Sequence, residues 1–125
     1  MPTVVERRDC VIKLGGFDER LRSVEDYLHW IQIALSGYAI GYINEALAMY
    51  RWRTGTLSRN ETNMAEAMIQ VCQILINEWY LAERLGLEAE ISVQQRLALM
   101  KRDLPYMYRL EGIRLPTNSH YPSLA

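Results

Sequence analysis

Charge of one sign is missing from this 125-residue chain: 14 Lys and Arg stand against 15 Asp and Glu, a formal net charge of -1. Without a basic excess there is no nucleic-acid footprint and no general attraction to anionic lipid, so no nucleic-acid partner is expected. Cysteine is scarce as well. Cys10 and Cys72 lie far apart and outside any CxxC or metal-ligand spacing. Each has a valine neighbour and reads as a buried thiol, which makes a reducing, cytoplasmic compartment the expectation. Residues 1–9 carry acids and no apolar run, so they are not expected to act as a secretory leader. No stretch is apolar for long enough to cross a bilayer, although a peripheral seat on the inner face of a membrane stays compatible with the sequence. The two histidines, His29 and His120, are isolated from each other and from other ligands, so no metal site is expected within the chain. There is no glycine-rich phosphate loop, and no Ser-His-Asp or Cys-His arrangement.

What is present is an ordinary globular balance. Half of the residues are hydrophobic and 23% are charged, which rules out a disordered chain and suits one domain with a core. Residues 3–8 alternate with valines and read as a short strand. Asp9 is placed to cap a short helix over 10–14, and Gly15 to stop it. Residues 17–22 read as loop. Ser23-Val24-Glu25-Asp26 approximates a capping box, and the helix that follows carries Leu28, Ile31 and Leu35 on one face and stops at Gly37. Residues 38–43 and 47–53 read as strands, and 54–60 as a polar loop.

Beyond residue 60 the pattern becomes helical. Residues 61–85 show a solvent stripe of Glu66, Gln70, Gln73, Asn77 and Arg84. Opposite lie Met64, Met68, Val71, Leu75, Trp79 and Ala82, broadened by Ile69, Ile76 and Tyr80. Gly86 is expected to end this helix. A second begins near Ile91 with Val93, Leu97, Met100 and Leu104 on one side, and Pro105 is expected to break it, kink it or start a new short helix to Gly112. From Leu115 on there is no period. The organisation expected is therefore mixed strand and helix over 1–60, a helical section over 61–112, and a loose tail over 113–125.

The first section carries an ordered set of residues: Arg7-Arg8, Leu14-Gly15-Gly16-Phe17-Asp18-Glu19, Glu25-Asp26, Gly37-Tyr38, Tyr50-Arg51 and Thr56-Leu57-Ser58. In order and spacing this set resembles the second half of bacterial family 2 glycosyltransferases, inverting enzymes of the GT-A type. The likeness covers residues 2–60, about half of the chain. It implies an α/β class: the acceptor-side part of a GT-A fold, followed by a helical extension without a family pattern.

The resemblance also implies roles. Asp26 would be the general base that takes a proton from an acceptor hydroxyl, whose oxygen then displaces a nucleoside diphosphate with inversion at the anomeric carbon. A sugar hydroxyl is a weak nucleophile, and a helix N-terminus keeps a carboxylate ionised, so residue type and position suit this chemistry. Glu25, the bare backbone of Gly15 and Gly16, Phe17 and Trp30 would contact substrate. The bland alternatives are a first-turn acid that complements the helix dipole, a glycine stop, and core aromatics. Arg51 and Arg53 would face the donor diphosphate, which a guanidinium can fork onto. Arg53 stands where a common variant has a histidine that helps hold the metal, and an arginine cannot do so.

Family members hold Mg or Mn and the nucleotide sugar through an upstream Asp-x-Asp. This chain has none. The divalent metal and the nucleotide-sugar donor are therefore expected to be held by a missing N-terminal half, and the isolated chain to be inactive. Two other classes stay open: a non-catalytic partner-binding or dimerisation module derived from such a transferase, and a helical regulatory domain. The apolar faces of 61–112 also suit self-association.

Overall fold

In the computed structural model, which describes residues 3–49 and 60–112, every regular element is a helix. The elements are α1 (Arg8–Leu14), α2 (Glu25–Leu35), α3 (Glu61–Asn77), α4 (Leu81–Leu85) and α5 (Leu87–Leu110). The expected α/β class, with a partial GT-A fold, is therefore corrected: among the described residues there is no strand and no sheet. A strand persists only when a neighbour pairs its backbone groups. Residues 3–7 and 38–49 have strand-like composition but meet no partner strand among the described residues. Arg8, assigned to the first strand, opens α1 instead, and 41–49 lie exposed. Residues 50–53 of the last expected strand fall outside the described residues.

Helix ends follow local chemistry more closely than helix starts do. α1 closes on Gly15 at φ 80°, with Gly15 N–H donating to the Ile12 carbonyl and Gly16 N–H to the Val11 carbonyl. That pair of bonds needs a left-handed residue, which glycine supplies without strain. α2 ends the same way on Gly37. At its start, however, Ser23 is not the cap. The flanking residue is Val24, held left-handed at φ 56° with no side-chain cap. A β-branched residue there costs about 1–3 kcal/mol and persists only if its surroundings enforce it. Val24 packs on the core, and the Ser23 hydroxyl donates instead to the Asn63 carbonyl at 3.4 Å. Asp9, expected to cap α1, lies inside its first turn, and Arg7 precedes the helix without a capping bond.

The expected single helix over 61–85 is in fact two. Asn60 caps α3, its side chain accepting from Asn63 N–H, and the chain then turns at Tyr80, also left-handed, before α4. α5 begins at Leu87, earlier than expected, and runs through Pro105. A proline inside a helix costs about 3 kcal/mol or more. Its flanking residues Leu104 and Tyr108 are both buried against Ile69 of α3, which offsets that cost at about 1.5–3 kcal/mol per large side chain.

α3 is the shared element. On one side Val71, Ile74 and Leu75 bury against Leu21 and Leu28, with Val24, Ile31 and Trp79 around them. On another side Ile69 meets Leu104 and Tyr108. The core therefore crosses residue 60, and α2 is seated on α3.

Candidate functional site

Glu25 and Asp26 are the first two residues of α2 and lie partly buried. A helix start presents unpaired backbone N–H groups and favours negative charge. Asp26 Oδ1 accepts from the Tyr27 N–H at 2.7 Å. Trp30 follows Asp26 by four residues and shares its face, one turn on. His29 stands in the same relation to Glu25.

The second turn of α2 is tied down by a residue the sequence reading passed over. Glu6, ahead of α1, places Oε1 3.0 Å from Trp30 Nε1, which donates to it, and Oε2 3.0 Å from His29 Nε2. The His29 ring is fully buried. Phe17 meets it edge-on, with ring centres 5.0 Å apart and planes at 61°. The imidazole thus joins three separate stretches: the segment before α1, the turn after it, and α2. Phe17 itself is half exposed.

Gly15 and Gly16 are both left-handed, at φ 80° and 77°. A Cβ at either would meet nothing within 4 Å, so backbone conformation and not crowding requires glycine here. The surrounding space is open, as a substrate-facing turn would need.

The acid that follows in the motif, Asp18, does structural work with Arg20. Asp18 accepts from the Arg20 backbone N–H at 3.0 Å and from its guanidinium at 2.6 Å, and the same guanidinium reaches Glu78 at 2.7 Å. This ties the loop to the end of α3. Hydrogen bonding from Arg20 holds both the Asp18 and Glu78 carboxyls below the usual carboxylate range. Arg20, Gln70, Gln73, Ile74, Asn77 and Glu78 line a shallow groove there.

Of the expected site residues, the structure sets Phe17 against His29, ties Trp30 to the same imidazole through Glu6, and puts Glu25 and Asp26 one turn earlier on the same helix. Arg51 and Arg53 lie outside the described residues. Family models, curated proteins and solved structures yield no match to this chain. Among the described residues no three His, Cys, Asp or Glu side chains group as a metal set would. Among the same residues, no helix is long and apolar enough to cross a membrane.

Glu6 and His29 were the residues missed. Glu6 carries no local signal, because its partners lie 23 and 24 positions away. His29 was weighed only as a metal ligand.

Proposed function

We propose that this chain supplies the acceptor-activating part of an inverting nucleotide-sugar glycosyltransferase, with Asp26 as the general base. The observation that carries the reading is the acidic pair opening α2, with the Trp30 indole one turn behind Asp26 on the same face. An aromatic ring beside a carboxylate suits a sugar, whose apolar face lies on the ring while a hydroxyl points at the acid. Asp26 takes the hydroxyl proton as the oxygen attacks, and Glu25 holds or orients the acceptor. The ordered motif from Arg7 to Ser58 supports the reading from the sequence side. The resemblance gives the donor and the divalent metal to a nucleotide-binding half that these residues do not include, and would give the diphosphate to Arg51 and Arg53, which lie outside the described residues. The reading rests on this local arrangement and not on a sheet-based fold. It places the protein in the cytoplasm, at or near the inner face of the membrane.

The experiment is transfer by the full-length protein, assayed as nucleoside diphosphate released from UDP-, GDP- and dTDP-sugars with methyl glycosides as acceptors. Asp26→Asn should abolish release while the thermal midpoint barely moves. Release at the parent rate by the substituted protein would overturn the reading.

A second reading is favoured by one observation. Ile40, Tyr42, Ile43, Leu47 and Met49 are exposed on a segment without regular structure, and Leu87, Leu99, Tyr106 and Leu110 are exposed on α5. A partner-binding or dimerisation module would use such surface. Sedimentation over a concentration series tests self-association, and indifference to Asp26→Asn separates the module from the enzyme.

A further inference from the structure

Glu6 makes an unusual contact for a residue outside any helix. Its two oxygens end on two successive ring nitrogens of α2, those of His29 and Trp30, each at 3.0 Å. An indole N–H only donates, and an ionised carboxylate only accepts. His29 Nε2 must then carry its hydrogen, so the neutral ring is the Nε2–H tautomer. Nδ1 of the same ring is buried and has no hydrogen-bond partner among the described residues, so no second bond competes to set the ring otherwise. One carboxylate thereby fixes two aromatic planes.

We propose that Glu6 is a positioning residue for the acceptor site: by clamping the buried His29 and the Trp30 indole it sets the pose of the indole on which an acceptor sugar lies beside Asp26. This rests on the transferase reading above. Asp26 and Trp30 share a helix face, so the pose of the indole decides where a stacked ring presents its hydroxyls. Pinning the indole at its N–H edge removes rotamer freedom before the sugar arrives, which is how preorganisation raises affinity. Phe17 packs against the same imidazole, so the Gly15-Gly16 turn is held in register with α2 through His29. Glu6 touches neither substrate nor the proton in flight; it acts through Trp30 and His29.

The isosteric change Glu6→Gln separates these roles. A glutamine amide offers one acceptor and one donor, so it cannot accept from both rings. Either the Trp30 N–H faces an NH2 group, or His29 moves its hydrogen to Nδ1. Nitrogen-15 NMR of the full-length protein reads both events, with Trp30→Phe and His120→Gln assigning the lines. The parent should show a protonated Nε2 and a bare Nδ1 on His29, and Glu6→Gln should change the tautomer or shift the Trp30 indole line. With the donor and methyl glycoside that release most nucleoside diphosphate, Glu6→Gln should raise the acceptor KM about tenfold and change kcat far less, the pattern of lost binding and not lost chemistry. If the amide variant does not fold, Glu6→Asp keeps the charge but is too short to reach both rings, and the same outcomes are expected of it.

Parent-like ring signals in the substituted protein overturn the role of Glu6. So does a parent-like acceptor KM measured beside an inactive Asp26→Asn protein, and in that case the transferase reading stands. Retained transfer by Asp26→Asn, or no release from any donor, overturns the transferase reading and takes the role of Glu6 with it.

Discussion

The surroundings of α2 and the contact between α3 and α5 are held in different ways. Around α2, beyond the apolar face by which Leu28 sits on α3, the ties are directed: Glu6 to two ring nitrogens, Ser23 to the Asn63 carbonyl, and Arg84 to the Leu35 carbonyl at 3.3 Å. Between α3 and α5 the contact is apolar, with Ile69, Leu104 and Tyr108 buried and Ala65, Leu97 and Met100 around them. Directed bonds fix angles and fail when one atom changes. Apolar packing resists such changes but loses free energy in proportion to volume removed. A site that must aim a carboxylate at a hydroxyl belongs in the first kind of surroundings, seated on the second.

The comparison can be broken at its functional end first. In the full-length protein, Asp26→Asn should lower transfer by at least ~10²-fold, the usual scale for a lost general base, with a stability change of about 1 kcal/mol or less from the helix dipole. Steady-state nucleotide release and a thermal melt check the two halves. The packed side breaks next. Leu104→Ala, at a residue 1% exposed, should cost ~2–5 kcal/mol in urea unfolding, and Ile69→Ala, at 4% exposed, a similar amount. Both should leave the ring signals of His29 and Trp30 in place while the protein stays folded.

Glu6→Ala sharpens the contrast. It removes little volume but leaves two ring N–H groups without their acceptor, and should cost ~1–3 kcal/mol by the same unfolding measurement. Adding Leu104→Ala to it should give nearly the sum, since the two residues share no partner.

The smallest effect is at Arg20. It holds the Asp18 and Glu78 carboxyls below their ordinary range, so folding binds fewer protons there than the unfolded chain does. The stabilisation is complete above the ordinary carboxylate pKa values and is lost as pH falls through the depressed ones. Arg20→Gln should therefore lower the melting temperature slightly at neutral pH and flatten its decline in acid. A melt series from pH 7 to pH 3 shows this, and salt should shrink the difference, because Arg20 and Glu78 are exposed.

Much of the helical framework was legible. Gly15, Gly37 and Gly86 all fall at helix ends with positive φ, as their places after apolar periodicity suggested. Val71 and Leu75 turned inward as read. Three things were not legible. The break before Tyr80 has neither proline nor glycine to announce it; it rests on a left-handed tyrosine held by tertiary structure. Strand-like composition in 3–8 and 38–43 predicts strands, but a strand needs a partner and composition does not supply one. For the site, Asp26 and Trp30 could be placed on one helix from spacing, whereas the Glu6 clamp depends on a contact more than twenty residues long and appears only once the chain has folded.

Cys72 gives this architecture a use as a stopwatch. It sits on α3, the helix shared by both core clusters, and burial pushes its thiol pKa up. Only a thiolate attacks a disulfide reagent, so the folded helix hides it twice, by access and by protonation. Cys10, buried on the short α1, is the second thiol. With one cysteine at a time kept, the labelling rate at Cys10 times the loosening of α1 and the rate at Cys72 times the opening of the central helix. Their ratio would show whether the chain breathes as one body or frays from its N-terminal end.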